Sequence, residues 1–119
     1  MATKRVLIVE DERPLAHALQ LKLQHEGYEA VIATNGKDCL ALINKQKFDV
    51  VLLDMMMPVM DGFQVLQELR THPVKPVVFV LSNLSQREDE SRVLEAGAKK
   101  YFIKADTPLS VIVEEVKNA

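Results

Sequence analysis

Polar side chains that could carry chemistry stand directly after four of the apolar runs in this sequence. Carboxylates follow two of the runs, a hydroxyl follows the third and an ammonium follows the fourth. Carboxylate oxygens without histidine or cysteine nearby suit Mg²⁺, while a hydroxyl and an ammonium can hold phosphoryl oxygens. One carboxylate can also act as a nucleophile and form an acyl phosphate. The residues concerned are Glu10, Asp11, Asp54, Ser82 and Lys104.

The apolar runs themselves predict the strands of a parallel sheet. Each run is short, apolar and closed by turn or polar residues, which is typical of a strand buried on both faces. A carboxylate at the end of such a strand is costly unless it meets a cation or takes part in chemistry. The predicted strands are residues 5–9, 28–33, 49–53, 77–81 and 99–103.

Helical signals separate these strands and follow the last one. Pro14 suits the first turn of a helix, Leu15, Leu19 and Leu23 form an apolar stripe, and Gly27 ends the helix. A capping box at positions 85–88 predicts that the fourth helix begins at Ser85. The second and third helices are predicted to begin at positions 35–36 and 61–62, and Thr107 with Pro108 to cap the last.

Five strands that alternate with five helices predict an α/β fold with a doubly wound parallel sheet. Short connections between such elements favour right-handed crossovers, which place helices on both faces of the sheet. The carboxyl ends of parallel strands then meet at one edge, where ligands bind in open α/β sheets. The sequence therefore predicts that Glu10, Asp11, Asp54, Ser82 and Lys104 lie close together.

Composition limits the classes of protein to which the chain can belong. Its 119 residues, 48% hydrophobic and 27% charged, are expected to fold as one domain over residues 1–119. No apolar run approaches the roughly 20 residues that span a bilayer, and no secretory signal is evident, so we expect a cytoplasmic protein without membrane contact. The single cysteine, Cys39, fits a reducing compartment, and the net charge of −2 gives no reason to expect nucleic-acid binding.

Four motifs, in order along the chain, resemble the receiver domain of bacterial two-component response regulators. They read Val-Leu-Ile-Val-Glu-Asp-Glu, Val-Val-Leu-Leu-Asp-Met-Met-Met-Pro-Val-Met-Asp-Gly, Ala-Gly-Ala-Lys-Lys-Tyr and Phe-Ile-Lys. The resemblance covers essentially the whole chain. It implies a five-stranded sheet in the order 2-1-3-4-5 with five helices, the flavodoxin-like arrangement of CheY.

The resemblance also implies roles for the acidic residues. Asp54 is expected to accept a phosphoryl group from a sensor histidine kinase or a phosphotransfer protein, with Mg²⁺ as the cofactor. Asp11 would bind the metal directly and Glu10 through a metal-bound water. Asp54 and the backbone carbonyl of Met56 would complete the protein ligands. The chain is then a signalling domain that takes part in its own phosphorylation and dephosphorylation, not an enzyme acting on free substrates.

A switch is implied by the same resemblance. Ser82 would hydrogen-bond the phosphoryl group, Lys104 would pair with it, and Tyr101 would move inward with Ser82. This movement would remodel the face formed by the fourth helix, fifth strand and fifth helix, which a downstream effector domain or protein would bind. The domain is expected to be a monomer or a phosphorylation-dependent dimer, either free-standing or part of a longer regulator.

The chain departs from the family pattern at several positions. Ala105 replaces the usual proline, whose peptide bond with the lysine is cis, and we hypothesise that the Lys104–Ala105 bond is cis as well. Met56 and Leu84 occupy positions that tune hydrolysis of the acyl phosphate, and neither can orient a water, which predicts a long-lived phosphoryl state. Lysines stand where OmpR-like regulators commonly have acidic residues that pair in dimers, which argues against such a dimer; they are Lys99 and Lys100.

Other interpretations of these residues remain. Asp54 alone would most simply be a helix N-cap, and Glu12 a first-turn acid that favours the helix dipole. A nucleotide or flavin binder would need a glycine- or serine-rich loop after the first strand, where Glu10, Asp11 and Glu12 stand instead. An aspartyl-phosphate hydrolase would need a carboxylate at Met56. An interaction-only receiver, which binds partners without phosphorylation, is the main alternative function.

Overall fold

A computed structural model of the chain describes residues 4–55, 60, 62–83 and 87–119, and of residues 87 and 88 only the backbone. The strands are β1 (Arg5–Val9), β2 (Glu29–Ala33), β3 (Val50–Asp54), β4 (Val77–Ser82) and β5 (Lys100–Ile103). The helices are α1 (Arg13–His25), α2 (Gly36–Lys45), α3 (Gly62–Thr71), α4 (Arg87–Glu95) and α5 (Leu109–Lys117). A short 3₁₀ helix, Lys104–Asp106, follows β5 and was not predicted from the sequence.

The five strands form one parallel sheet in the order β2-β1-β3-β4-β5. The predicted fold class and strand order are therefore confirmed. Register brings the functional strand ends together, because Val9 pairs with Leu53 and Asp54 pairs with Leu81. The residues that follow these pairs, Glu10 and Ser82, consequently lie on either side of the end of β3.

Alternation along each strand divides the core into two apolar layers, one on each face of the sheet. In β3, Val50 and Leu52 pack on one face, whereas Val51 and Leu53 pack on the other. This pattern follows from the two-residue period of a strand, and it explains why an unbroken apolar run is needed here. On one face α1 and α5 cover the sheet, with Leu19, Leu23, Ile112 and Val116 buried. On the other face α2, α3 and α4 cover it, with Cys39, Ile43, Leu66 and Val93 buried.

Local sequence signals account for the ends of the first two helices. Pro14 stands in the first turn of α1, and Gly27 adopts a φ of 89° after its end, a left-handed conformation that glycine adopts without steric cost. The Asn35 side chain accepts a hydrogen bond from the backbone N–H of Asp38 at 2.8 Å and so caps α2.

The last helix begins where the sequence predicts, but its cap differs. Pro108 is the N-cap residue of α5, and no side chain caps this end of the helix. The Thr107 hydroxyl instead donates a hydrogen bond backwards to the Ile103 carbonyl oxygen at 2.8 Å. The expectation that Thr107 shares the cap of α5 with Pro108 is therefore wrong for Thr107, because the helix begins one residue later, with Pro108 as its N-cap residue. The predicted start of the fourth helix at Ser85 lies outside the described residues.

Within the described residues, none of the helices combines the length and the apolar character that crossing a lipid bilayer requires.

Candidate functional site

Three buried polar side chains lie at the carboxyl ends of neighbouring strands. Glu10 follows β1, Asp54 ends β3 and Ser82 ends β4, and their exposed fractions are 1%, 3% and 0%. These are the buried polar residues in the described part of the chain, which otherwise buries apolar side chains. Since burial of unpaired carboxylates is costly, the surroundings of Glu10 and Asp54 must compensate their charges.

Lys104 brings a positive charge to these carboxylates. Its Nζ atom lies 2.6 Å from Glu10 Oε1 and 3.3 Å from Asp54 Oδ2, and its side chain is only 10% exposed. The lysine starts from the turn after β5, so its side chain crosses the end of β4 to reach β3 and β1. The structure thus joins four of the five residues singled out in the sequence through the ends of adjacent strands.

Asp11 completes a cluster of acidic groups at the same edge. One carboxylate oxygen each from Glu10, Asp11 and Asp54 can be chosen so that all three lie within 4.8 Å of one another. Asp11 is exposed, so the cluster opens towards solvent on its side. Three negative charges at this separation exceed the one positive charge of Lys104. The donor set, made of carboxylate oxygens, fits a hard divalent cation such as Mg²⁺.

The protonation of Glu10 reflects this crowding. The pKa of Glu10 is raised from 4.5 to about 7, mainly by burial and also by a shared hydrogen bond with Asp54 and the negative charge of Asp54. Lys104 and the backbone N–H of Glu12, which lies 3.3 Å from Glu10 Oε2, act in the opposite direction. Lys104 Nζ lies 2.6 Å from Glu10 Oε1, so this ion pair offsets part of the cost of burying the carboxylate.

Lys104 remains charged in this setting. Burial alone would lower the pKa of Lys104, but contacts with Glu10 and the negative charge of Asp54 outweigh it and raise that pKa above its usual value. A charged lysine held by two buried carboxylates is a fixed positive centre beside the Asp54 oxygen.

The hypothesis of a cis bond between Lys104 and Ala105 is wrong, because every peptide bond between described residues is trans. A cis bond before a residue other than proline costs about 2.5–4 kcal/mol. The 3₁₀ turn at Lys104–Asp106 brings the lysine to the carboxylates without that cost.

Ser82 connects the acidic cluster to Tyr101. Tyr101 packs against the apolar layer on the α2–α3–α4 side, and Ser82 faces the same side because the preceding residue, Leu81, packs on the other. Burial raises the pKa of the Tyr101 hydroxyl, while a hydrogen bond with the Ser82 side chain acts against this rise. The charges of Asp89 and Glu90, on α4, add to it. The half-buried Tyr101 thus contacts the end of β4, and its hydroxyl also interacts electrostatically with the acidic side chains of α4.

Glu12 also interacts with Lys104, a contact that was not predicted from the sequence. Its Oε1 atom lies 3.8 Å from Lys104 Nζ, and its side chain is 59% exposed. Glu12 is the N-cap residue of α1 rather than a residue of its first turn, and it makes no capping hydrogen bond, while its expected interaction with the helix dipole stays a prediction. The run of three acids after β1, opposite a lysine after β5, was the sequence signal for this contact.

Two of the predicted residues cannot be placed. Met56, whose carbonyl is the expected metal ligand, and Leu84, expected to affect hydrolysis, lie outside the described residues. The Gly62 N–H donates to the Met55 carbonyl at 3.2 Å, a contact that closes the start of α3 against the end of β3. A side chain on Gly62 would place its Cβ 2.6 Å from Met55 Cα, so only glycine fits this closure.

Comparison with known proteins now decides the family. The model of the response regulator receiver domain matches residues 6–116. The chain belongs to this family.

Curated relatives of this receiver domain include transcriptional regulators. The transcriptional regulatory protein PcoR of Escherichia coli is 39% identical over 101 residues, which cover 85% of this chain and 45% of PcoR. The probable transcriptional regulator ycf27 of Porphyra purpurea is 36% identical over 105 residues, covering 88% of this chain and 43% of its own. The receiver domain thus spans a little under half the length of these relatives.

Solved receiver structures share the fold closely. The receiver domain of the Francisella response regulator 1452 superposes with a TM-score of 0.91 at 29% identity, covering 98% of this chain and 95% of that one. The chemotaxis protein CheY4 of Vibrio cholerae gives 0.90 at 26% identity, with 98% of both chains covered. The BeF₃-activated receiver domain of Klebsiella pneumoniae RstA gives 0.88 at 26% identity, with 97% of both chains covered.

Proposed function

We propose that Asp54 is the phosphoacceptor of this receiver domain and that Mg²⁺ is required for the transfer. The phosphoryl donor is a phosphohistidine of a sensor histidine kinase or of a phosphotransfer protein. The observation that carries the proposal is the placement of the buried Asp54 carboxylate 3.3 Å from the Lys104 ammonium and in one cluster with the carboxylates of Glu10 and Asp11. Family membership supports the same role.

The excess negative charge of the acidic cluster favours the binding of Mg²⁺. Three carboxylates face one ammonium, and Glu10 is difficult to ionise because of its burial, so a divalent cation would relieve the excess negative charge. Asp11 and Asp54 would hold the ion directly, with Glu10 beside it, and the carbonyl of Met56 would be a further ligand. When bound, Mg²⁺ supplies positive charge that lowers the repulsion between the carboxylates and the phosphoryl oxygens.

The chemistry is a substitution at phosphorus. A carboxylate oxygen of Asp54 attacks the phosphorus atom of the phosphohistidine, and the new O–P bond forms as the P–N bond breaks. The electron pair of the broken bond leaves with the imidazole nitrogen of the donor. The product is an acyl phosphate on Asp54. Such transfers depend mainly on positioning and charge neutralisation, because the phosphoryl group itself is reactive.

Lys104 and Ser82 are suited to hold the transferred group. Lys104 is charged and reaches the Asp54 oxygen from one side, so its ammonium can pair with a phosphoryl oxygen. Ser82 lies on the neighbouring strand, one residue beyond the partner of Asp54, where its hydroxyl can donate to another oxygen. A donating Ser82 would change its contact with Tyr101, which links phosphorylation to α4 and β5.

The output of the domain would follow from this link. We propose that phosphorylation remodels the face formed by α4, β5 and α5, and that an effector domain or protein binds there. The predicted long-lived phosphoryl state stays a prediction, since it depends on Met56 and Leu84.

The direct test measures phosphorylation of Asp54. Wild-type protein incubated with Mg²⁺ and acetyl phosphate is expected to gain the mass of one phosphoryl group, and Asp54→Asn is expected to gain none. Asp49→Asn is a matched control, because Asp49 directly precedes the same strand at its other end and accepts a hydrogen bond from the Arg5 N–H at 2.8 Å. Intact-mass spectrometry of each protein, with and without a chelator, provides the measurement.

The outcomes separate the proposed function from its main alternative. An adduct that needs both Mg²⁺ and Asp54, and that forms normally in Asp49→Asn, supports the phosphoacceptor role. An adduct that persists in Asp54→Asn contradicts it. A wild-type protein that gains no adduct from acetyl phosphate or from phosphorylated histidine kinases would instead be an interaction-only receiver.

A further inference from the structure

The direction of the Lys104 side chain must be fixed if its ammonium is to reach the carboxylates. Lysine has a long side chain with many rotamers, and its ordering is entropically costly. Here the lysine starts beyond β5, which is an edge strand of the sheet, and its ammonium must reach Asp54 and Glu10 on β3 and β1. The direction of the side chain therefore depends on how firmly the backbone of the turn at Lys104–Asp106 is held.

Thr107 closes that turn. Its Oγ1 donates to the Ile103 carbonyl at 2.8 Å, so a single hydrogen bond spans the segment between the last residue of β5 and the first residue after the turn. The bond is partly buried, which strengthens it relative to a fully solvated one. Threonine is also stiff at χ1, since its side chain is branched at Cβ. Both properties restrict the backbone on which Lys104 stands.

The start of this hydrogen-bonded segment is itself fixed. Ile103 pairs with Ser82 in the sheet, so the carbonyl that Thr107 contacts belongs to the framework of the candidate site. Pro108 follows Thr107 as the N-cap of α5 and limits the backbone on that side. The turn is thus held by the sheet before it and by α5 after it, with the Thr107 hydroxyl as the connection between them.

We propose that Thr107 is a positioning residue for Lys104, holding the turn from which the lysine reaches the Asp54 and Glu10 carboxylates. This inference rests on the proposed function for its consequence in phosphoryl transfer, but not for the contact itself. The hydrogen bond of the Thr107 hydroxyl is made to the end of β5, and the N-cap position of α5 belongs to Pro108. Its effect is therefore directed to Lys104.

The test compares two substitutions at this position. Thr107→Val keeps the shape but removes the hydroxyl, and it is expected to slow phosphorylation by acetyl phosphate in Mg²⁺ about five- to tenfold, since small displacements of a catalytic group are costly. Thr107→Ser retains the hydroxyl and is expected to restore most of the rate. Thr71→Val is the matched control, because the Thr71 hydroxyl makes a similar bond to the Glu68 carbonyl at 3.1 Å at the end of α3.

A second readout reports on Lys104 without any phosphorylation. The order parameter of the Lys104 Cε–H bonds, from ¹³C relaxation of metal-free protein, is expected to fall in Thr107→Val and to stay unchanged in Thr107→Ser and Thr71→Val. Unchanged order in Thr107→Val would overturn the inference. This readout also decides the inference if wild-type protein accepts no phosphoryl group, in which case the proposed function alone fails.

A double substitution shows whether Thr107 acts through Lys104. In the background of Lys104→Met, the added Thr107→Val change is expected to leave the phosphorylation rate as it is, because the group being positioned is already absent. An equal loss of rate in both backgrounds would show that Thr107 acts by another route and would overturn the inference.

Discussion

Glu10→Gln is expected to stabilise the metal-free protein at pH 8. Burial and the neighbouring Asp54 hold the pKa of Glu10 at about 7 rather than 4.5, so the folded protein resists ionisation of this side chain. A glutamine has nearly the same shape and needs no ionisation. At about 1.4 kcal/mol for each unit of pKa shift, the free energy of unfolding should rise by up to about 3 kcal/mol.

The effect should depend on pH in a defined direction. Because the folded-state pKa of Glu10 is raised, its contribution to stability is fully present below about pH 4.5 and is lost as pH rises through 7. The stability of wild-type protein and of Glu10→Gln should therefore converge near pH 4.5 and differ most above pH 7. Urea unfolding in the presence of a chelator, at several values of pH from 4.5 to 8, measures the difference.

Glu29→Gln is a suitable control for this experiment. The Glu29 carboxylate is paired with Arg5 at 2.7 Å on the surface, and its side chain is 57% exposed. Such surface pairs contribute about 0–1 kcal/mol, so little change in stability is expected at any of these pH values. A loss of stability in Glu10→Gln at pH 8 would contradict the prediction, since the ion pair with Lys104 would then outweigh the cost of burying the carboxylate.

The same substitution is expected to weaken the response to Mg²⁺. Ligands that bind the folded state alone stabilise it by mass action, so Mg²⁺ should raise the unfolding midpoint of wild-type protein at pH 8. Glu10→Gln removes one of the three carboxylates in the cluster and should show a smaller rise. Glu10 would then be a residue that costs stability in the metal-free state and is retained for the ion.

The layers of the fold could be predicted from the sequence because apolar burial has a clear periodic signal. An unbroken apolar run such as residues 50–53 supplies both faces of the sheet, while stripes such as Leu19 with Leu23 or Ile112 with Val116 supply one face of a helix. The carboxyl ends of the strands follow from that order. This is why the proximity of Glu10, Asp54 and Lys104 could be expected before any coordinates.

The turn after β5 could not be predicted in the same way. No periodic signal marks a three-residue 3₁₀ helix, and a hydroxyl such as that of Thr107 can bond either forwards to a helix or backwards to a strand. The sequence pattern favoured the forward choice. Similarly, the presence of Ala105 in place of the family's usual proline does not indicate whether the Lys104–Ala105 peptide bond is cis or trans, and the structure shows that it is trans. When two local backbone conformations have similar free energies, tertiary contacts determine which of them the folded chain adopts.

Removal of the Lys104 ammonium is expected to slow phosphoryl transfer but to strengthen Mg²⁺ binding. In Lys104→Met, an unbranched apolar side chain replaces the lysine at a position where only 10% of the side chain is exposed. The transfer of a phosphoryl group from acetyl phosphate to Asp54 is expected to slow by about 10²-fold, the scale found when one preorganised charge-stabilising donor is removed. Rapid-quench sampling with intact-mass detection gives this rate.

Mg²⁺ affinity should change in the opposite direction. The lysine charge lies 2.6 Å from a Glu10 oxygen and 3.3 Å from an Asp54 oxygen, so it competes with a cation for the same carboxylates. Its removal leaves the cluster more negative, and Mg²⁺ should bind about tenfold more tightly, which corresponds to one charge interaction of about 1–2 kcal/mol in a partly solvated site. Isothermal titration calorimetry at pH 8 measures this affinity.

Lys100→Met provides the matched control, because Lys100 pairs with Glu115 at 2.6 Å on the surface and carries the same charge. It should alter neither the rate nor the Mg²⁺ affinity by more than about twofold, since a change of global charge is screened at ordinary salt concentrations. Weaker Mg²⁺ binding in Lys104→Met would show that the lysine organises the carboxylates rather than competing for them. An unchanged rate would show that the charge of Lys104 is not used in the transfer. A slower transfer together with tighter Mg²⁺ binding is the combination expected of a lysine that faces the transferred group and competes with the ion for the carboxylates.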